Sequence, residues 1–184
     1  MEIKLLKHYD AADQGRLGGF GYTSTMKYQV RKAVSDSAMS IHIERIPLAE
    51  PYVKEWQVEA DDFELYEKMI PLGYSYGTYI EDQLVGVAIT EPQRWNNTLM
   101  LWNLHIAENY RRSGMGSKLL KKVIGVARDA GFRAVTLETQ NTNAPAIALY
   151  KRCGFDIEAV DLSLYSNSDV DDGEVAFYMK HYIS

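Results

Sequence analysis

Apolar and polar positions along this chain follow two periods, and their order predicts the elements. Across residues 39–46, Met39, Ile41 and Ile43 alternate with Ser40, His42 and Glu44, the period-two mark of a strand with one apolar face. Phe63, Tyr66 and Ile70 then recur at spacings of three and four behind Asp61-Asp62, which predicts a short helix over residues 61–69. From Gly73 the pattern becomes a meander. Residues 74–80 and 84–90, joined by a turn at Glu81-Asp82-Gln83, fit two antiparallel strands, and Pro92 closes the second. The nearly continuous apolar run over residues 99–106 predicts a third strand, central and covered on both faces.

Leu119, Leu120, Val123, Ile124 and Ala127 repeat at helical spacing, and Gly131 stands where a left-handed cap would end that helix. Residues 134–139 return to strand alternation, with Val135, Leu137 and Thr139 on one side and Thr136 and Glu138 on the other. Asn143 as N-cap and Pro145 in the first turn announce a second helix. Its stripe is Ala146, Leu149, Tyr150 and Cys153, and it stops at Gly154. Strands over residues 155–164 and 175–182 finish the chain. Before residue 39, Gly15, Gly18, Gly19 and Gly21 followed by Thr23-Ser24-Thr25 predict loop with short helical turns.

The order strand, strand, strand, helix, strand, helix, strand, strand places the chain in the α/β class, as an α+β mixed sheet with helices on its faces. Its 184 residues give room for one sizeable core, so residues 1–184 are expected to form a single domain. The formal net charge of -5 does not suggest the clustered basic surface that nucleic acid requires, and a small cationic molecule suits it better. Cys153 is the sole cysteine, which excludes an internal disulfide and reads as a buried thiol. No run approaches the roughly 18 apolar residues of a membrane span. With no signal-peptide pattern behind Met1-Glu2-Ile3-Lys4 either, a cytoplasmic protein is expected.

The stretch richest in chemistry is Arg111-Arg112-Ser113-Gly114-Met115-Gly116, between a predicted buried strand and an amphipathic helix. Glycines there let backbone approach a ligand and turn N–H groups outward, and the helix N-terminus adds partial positive charge, a combination that binds a pyrophosphate. The same glycines would also serve a tight strand-to-helix turn. Downstream stand Leu137-Glu138-Thr139, Asn143, Ala148-Leu149-Tyr150 and Cys153-Gly154-Phe155.

Together these segments resemble the GNAT superfamily of acetyl-coenzyme A-dependent N-acetyltransferases, whose R/Q-x-x-G-x-G/A loop is matched by Arg111 to Gly116. Leu137-Glu138-Thr139-Gln140, Val160-Asp161, Leu164-Tyr165, Asn167, Trp95-Asn96 and Glu174 with Ala176-Phe177-Tyr178 look, more narrowly, like the streptothricin acetyltransferases, which act on the β-lysine amine of a cationic antibiotic. The resemblance is firm over the C-terminal half and weak over the N-terminal third. It implies a central, mostly antiparallel sheet with a splayed parallel pair and helices on both faces. Acetyl-coenzyme A is the implied cosubstrate, and no metal is implied.

By the same resemblance Leu104, His105 and Ile106 line the cofactor with their backbone, the Ile106 N–H polarising the thioester carbonyl. Arg111, Arg112, Ser113, Gly114, Met115 and Gly116 hold the pyrophosphate, and Asn143 meets the cofactor while also suiting a helix cap. Glu138 matches an acidic position used as general base in some relatives, and orienting the acceptor is its other reading. Tyr150 matches the family's general acid, and otherwise reads as an aromatic in an apolar stripe. His105 is, on its own, a structural histidine as readily as a catalytic one. Asp161 and Glu174 are candidates for holding a cationic substrate, or are solvated charges at strand ends. The expected partner is a small cationic amine, with a homodimer left open. A protein or peptide acetyltransferase and a non-catalytic acyl-coenzyme A sensor are the alternative functions.

Overall fold

In the computed structural model, which describes residues 1–56 and 59–183, the meander read from the sequence lies inside a seven-stranded sheet. In chain order the strands are β1 (Glu2–Leu5), β2 (Phe20–Val34), β3 (Met39–Trp56), β4 (Tyr76–Ile80), β5 (Gln83–Gln93), β6 (Thr98–Ile106), β7 (Ala134–Gln140), β8 (Asp156–Asp161) and β9 (Ala176–Tyr182). The sheet runs β1-β4-β5-β6-β7-β9-β8, while β2 and β3 form a separate ribbon. Neighbours in the sheet are antiparallel except β6 and β7, which are parallel. Glu81 and Asp82 make the predicted turn at positive φ, with Ile80 opposite Gln83, the geometry that matches strand twist in a tight hairpin.

Alternate residues of β5 feed two cores. Val87 and Ile89 face α1 (Ala11–Leu17) and α2 (Ala60–Met69), packing with Leu6, Tyr9, Leu17, Tyr66 and Met69. Ala88 lies in the opposite core with Leu99, Leu101, Val135 and Leu137 of β6 and β7. That core is closed by α3 (Met115–Asp129) and α4 (Ala144–Arg152) through Leu119, Leu120, Val123, Ala127, Ile147 and Tyr150. Burying each of the larger apolar side chains contributes about 1.5–3 kcal/mol, so the apolar stripe of α3 does most to hold that helix on the sheet. Cys153 is buried in the same core. A single turn of helix, α5 (Asp169–Asp172), precedes β9. Among the described residues no helix is long and apolar enough to cross a membrane.

The first third holds the short helix expected of it, α1, which contains Gly15 and ends at Gly18, but where loop was expected after it there is a strand. Gly21 and Thr23-Ser24-Thr25 belong to β2, because the partner that makes them strand residues is β3, paired from Phe20↔Trp56 to Val34↔Met39. Gly21 serves close backbone approach, since a Cβ there would lie 2.6 Å from the Lys54 carbonyl oxygen. The strand expected over residues 39–46 likewise runs on to Trp56. The ribbon docks through buried Asn141, whose main-chain oxygen accepts from the Tyr28 N–H at 2.9 Å. The Asn141 side chain donates to the Tyr28 carbonyl and accepts from the Val175 N–H, both at 2.8 Å. At the other end of the chain, β8 stops at Asp161 rather than residue 164, because the Asp161 carboxylate accepts the Ser163 N–H and turns the backbone away.

Candidate active site

The parallel pair comes apart. Pairing between β6 and β7 extends from Thr98↔Ala134 to Leu101↔Leu137 and ends there, although β6 continues to Ile106 and β7 to Gln140. At that point Thr90 of β5 faces Leu101 and Ile89 faces Asn103, which leaves Trp102 as an extra, bulged residue. A bulge bends its strand, strengthens the local twist and exchanges its faces. Leu104 and Ile106 consequently return to the α3–α4 side, while Asn103 and His105 are buried on the other. A wedge opens between β6 and β7, with backbone of residues 102–106 along one wall.

At its mouth lies the loop into α3. Gly114 is the N-cap at φ 84° and offers no side chain to cap the helix, whose first internal bond is Lys118 N–H to the Gly114 carbonyl. The amides of Met115, Gly116 and Ser117 are therefore left for another acceptor, and the helix end adds partial positive charge. An added Cβ at Gly114 meets nothing within 4 Å, so this cradle is open. A diphosphate fits these donors. Arg112 and Ser113 are exposed beside them. Arg111 is engaged: its Nε donates to the Ile106 carbonyl at 3.1 Å, and its Nη atoms reach the Gly21 and Gly19 carbonyls at 3.4 Å. It fastens the base of the ribbon to the end of β6.

Beyond the wedge two carboxylates face an aromatic wall. Glu138 projects from β7, opposite in face to Val135 and Leu137 as its alternation predicts, and accepts a hydrogen bond from the Tyr165 hydroxyl. Burial holds its pKa above the ordinary carboxylate value; Tyr165 and the Lys54 charge oppose that, and Glu174 adds to it. Glu174 accepts from Lys54 Nζ at 2.6 Å and from the Tyr52 and Thr142 hydroxyls at 3.3 Å. Tyr22 joins through Thr142 at 2.6 Å, and its ring lies 6.1 Å from that of Tyr52 and 6.2 Å from that of Trp56. Tyr165 is placed by buried Asp169, whose carboxylate accepts its N–H at 2.9 Å. Asp161 has no hydrogen bond to this cluster, its carboxylate being occupied by Ser163.

Tyr150 comes from the inner face of α4, 9% exposed, with its ring 6.0 Å from that of Phe155. Burial first and the Glu138 charge second push its phenol well above the ordinary value, so it stays protonated. Among the described residues its hydroxyl makes no hydrogen bond. Asn143 is the N-cap of α4, accepting the Ala146 N–H at 3.2 Å. The ring of His105 turns away from the wedge onto Phe20, centroids 4.2 Å apart, and only its main chain borders the gap. Burial, then the Arg111 charge, push its pKa down to about 4 against a smaller opposing effect of the Leu17 backbone, and among the described residues neither ring nitrogen has a partner in good hydrogen-bond geometry. It is a neutral packing group. Tyr22, Tyr52, Lys54, Trp56, Thr142 and Tyr165 are the residues that the sequence pattern did not single out as site residues.

Comparison with known proteins bears on this geometry. A family model described as the acetyltransferase (GNAT) family matches residues 41–155. Streptothricin acetyltransferase A of Bacillus subtilis is 33% identical over 119 residues, 65% of this chain and 67% of that protein. Streptothricin acetyltransferase of Streptomyces lavendulae is 34% identical over 99 residues, 54% of this chain and 52% of its own. The match thus spans between about half and two thirds of these relatives' lengths. The crystal structure of nourseothricin acetyltransferase superposes with a TM-score of 0.72 at 23% identity, covering 100% of this chain and 98% of that one, which shows a shared fold.

Proposed function

Because the chain belongs to the acetyltransferase (GNAT) family, whose members carry acetyl from acetyl-coenzyme A to an amine, we propose that its acceptor is a small cationic molecule, the β-lysine amine of a streptothricin. One observation carries the reading most. The wedge joins an uncapped helix end, suited to a diphosphate, to a pair of carboxylates suited to an ammonium. Its residues come from Tyr22 to Glu174, so the whole chain is proposed as one catalytic domain.

Acetyl-coenzyme A, when bound, supplies an acetyl carbon activated as a thioester. The amides at the start of α3 and the neighbouring Arg112 and Ser113 would hold its diphosphate, and the β6 backbone at residues 104–106 would lie along its arm. An acceptor ammonium, with a pKa near about 10.4, has no free lone pair until a proton is removed. Glu138 takes that proton. Tyr150, protonated and without a hydrogen bond to its hydroxyl among the described residues, gives one to the departing sulfur.

The role of Glu138 has a pH signature. It must be ionised to act, and burial holds its pKa above the usual carboxylate value of about 4.3, so kcat/KM should rise with pH through a limb lying above that value. Glu138→Gln should flatten this limb. An unchanged acid limb in that variant would remove Glu138 from the chemistry.

Acceptor choice is tested by a panel with purified protein, reading thiol release. A streptothricin should be acetylated with far higher kcat/KM than aminoglycosides or peptide N-termini, in keeping with the acidic acceptor end and the B. subtilis relative. Comparable efficiency on a peptide amine would replace this reading with a protein acetyltransferase.

A further inference from the structure

The acceptor end of the wedge already holds an alkylammonium. Lys54 Nζ lies 2.6 Å from Glu174 Oε2 and 5.6 Å from the centroid of the Tyr165 ring. A carboxylate and an aromatic face are two groups that attract a primary ammonium. Tyr52 and Thr142 complete the donors on Glu174, and the Tyr165 hydroxyl donates to Glu138. One ring thus links the Lys54 ammonium to the carboxylate placed to receive the acceptor's proton.

Charge and attachment distinguish Lys54 from the rest of this cluster. Glu138 and Glu174 are close enough for the charge of Glu174 to help hold up the pKa of Glu138, with Lys54 opposing it. One ammonium serves two carboxylates. Glu138 is fixed within β7, and Tyr165 is tethered by Asp169. Lys54 instead reaches in from the ribbon on a flexible four-carbon stem, 26% exposed, and can turn out to solvent.

We propose that Lys54 is a displaceable stand-in for the acceptor, and that the Glu174–Tyr165–Tyr52 subsite receives a second ammonium of a diamine substrate. A diamine brings its reacting amine to Glu138 and its other ammonium to Glu174, and releases Lys54. A monoamine reaches Glu138 only. Lys54 sets selectivity by competing for the subsite. The identity of the reacting amine rests on the acetyl-transfer reading, whereas the subsite does not.

The test is calorimetric binding of diamines, from propanediamine to hexanediamine, and of matched monoamines to the protein saturated with coenzyme A. In the parent protein the best diamine should bind more tightly than its monoamine. Lys54→Met should tighten that diamine about three- to thirtyfold, the range of an exposed ion pair plus a cation–π contact, and tighten the monoamine much less, through the lost charge near Glu138 alone. Lys54→Arg should keep the parent ranking, and Glu174→Gln should erase the diamine's advantage. The proposal is overturned if Lys54→Met weakens the diamine, if it shifts both amines alike, or if no diamine outbinds its monoamine. Thiol release measured alongside separates the two readings. Diamine-selective binding without thiol release from a streptothricin keeps the subsite and removes the proposed function; thiol release from a streptothricin without diamine-selective binding removes the subsite alone.

Discussion

Tyr150→Phe is expected to lower turnover about tenfold to a thousandfold, within or below the usual reach of acid–base catalysis. A thiolate is a tolerable leaving group, which keeps the loss from being larger. The substitution retains the ring that packs on Phe155 in the α3–α4 core and removes only a hydroxyl without a hydrogen-bond partner among the described residues. Folding and acetyl-coenzyme A affinity should therefore change little. The phenol also keeps its proton throughout the working pH range, since burial and Glu138 both push its pKa up. Single-turnover kinetics at saturating substrates isolate the chemical step. A rate within about twofold of the parent's would leave Tyr150 as a packing residue.

Gly114→Val should weaken coenzyme A binding about five- to thirtyfold, because a β-branched residue at φ 84° costs about 1–2 kcal/mol or forces the loop to rearrange. The space beside Gly114 is open, so the loss comes from backbone geometry rather than from a clash. Gly116 differs. It is helical, and a Cβ there would meet Leu149 Cδ2 at 3.4 Å and Ile106 Cγ1 at 3.8 Å, contacts the protein tolerates. Any loss at Gly116 must come from the ligand itself. Gly114→Asn should recover much of the affinity, since asparagine adopts the left-handed conformation more readily than valine. Calorimetry decides, with thermal unfolding as the control for folding. Parent-like affinity in a folded Gly114→Val would refute the loop assignment.

Elements whose determinants are local were legible in the sequence. The α3 stripe and the Asn143 cap each depend on residues within a few positions of one another. The long ribbon was not legible, because Phe20 becomes a strand residue only by pairing with Trp56, far along the chain. With the ribbon went half of the acceptor wall, Tyr22, Tyr52, Lys54 and Trp56. Tyr165 stood in the narrower resemblance, yet its role depends on a loop that Asp169 ties into place. The bulge at Trp102 is the subtler loss: an apolar run reads as one continuous strand, and only the register against β5 shows that its faces exchange. That exchange sends the ring of His105 away from the wedge and leaves its backbone beside it.

Amine-dependent thiol release from acetyl-coenzyme A, with mass analysis of the amine, decides whether the wedge presents an activated acetyl group to an amine. The streptothricin amine should gain one acetyl for each thiol released, with strong loss of both in Tyr150→Phe. Tight coenzyme A binding without amine-dependent thiol release from a streptothricin, an aminoglycoside or a peptide would contradict it and leave a binding protein in place of an enzyme.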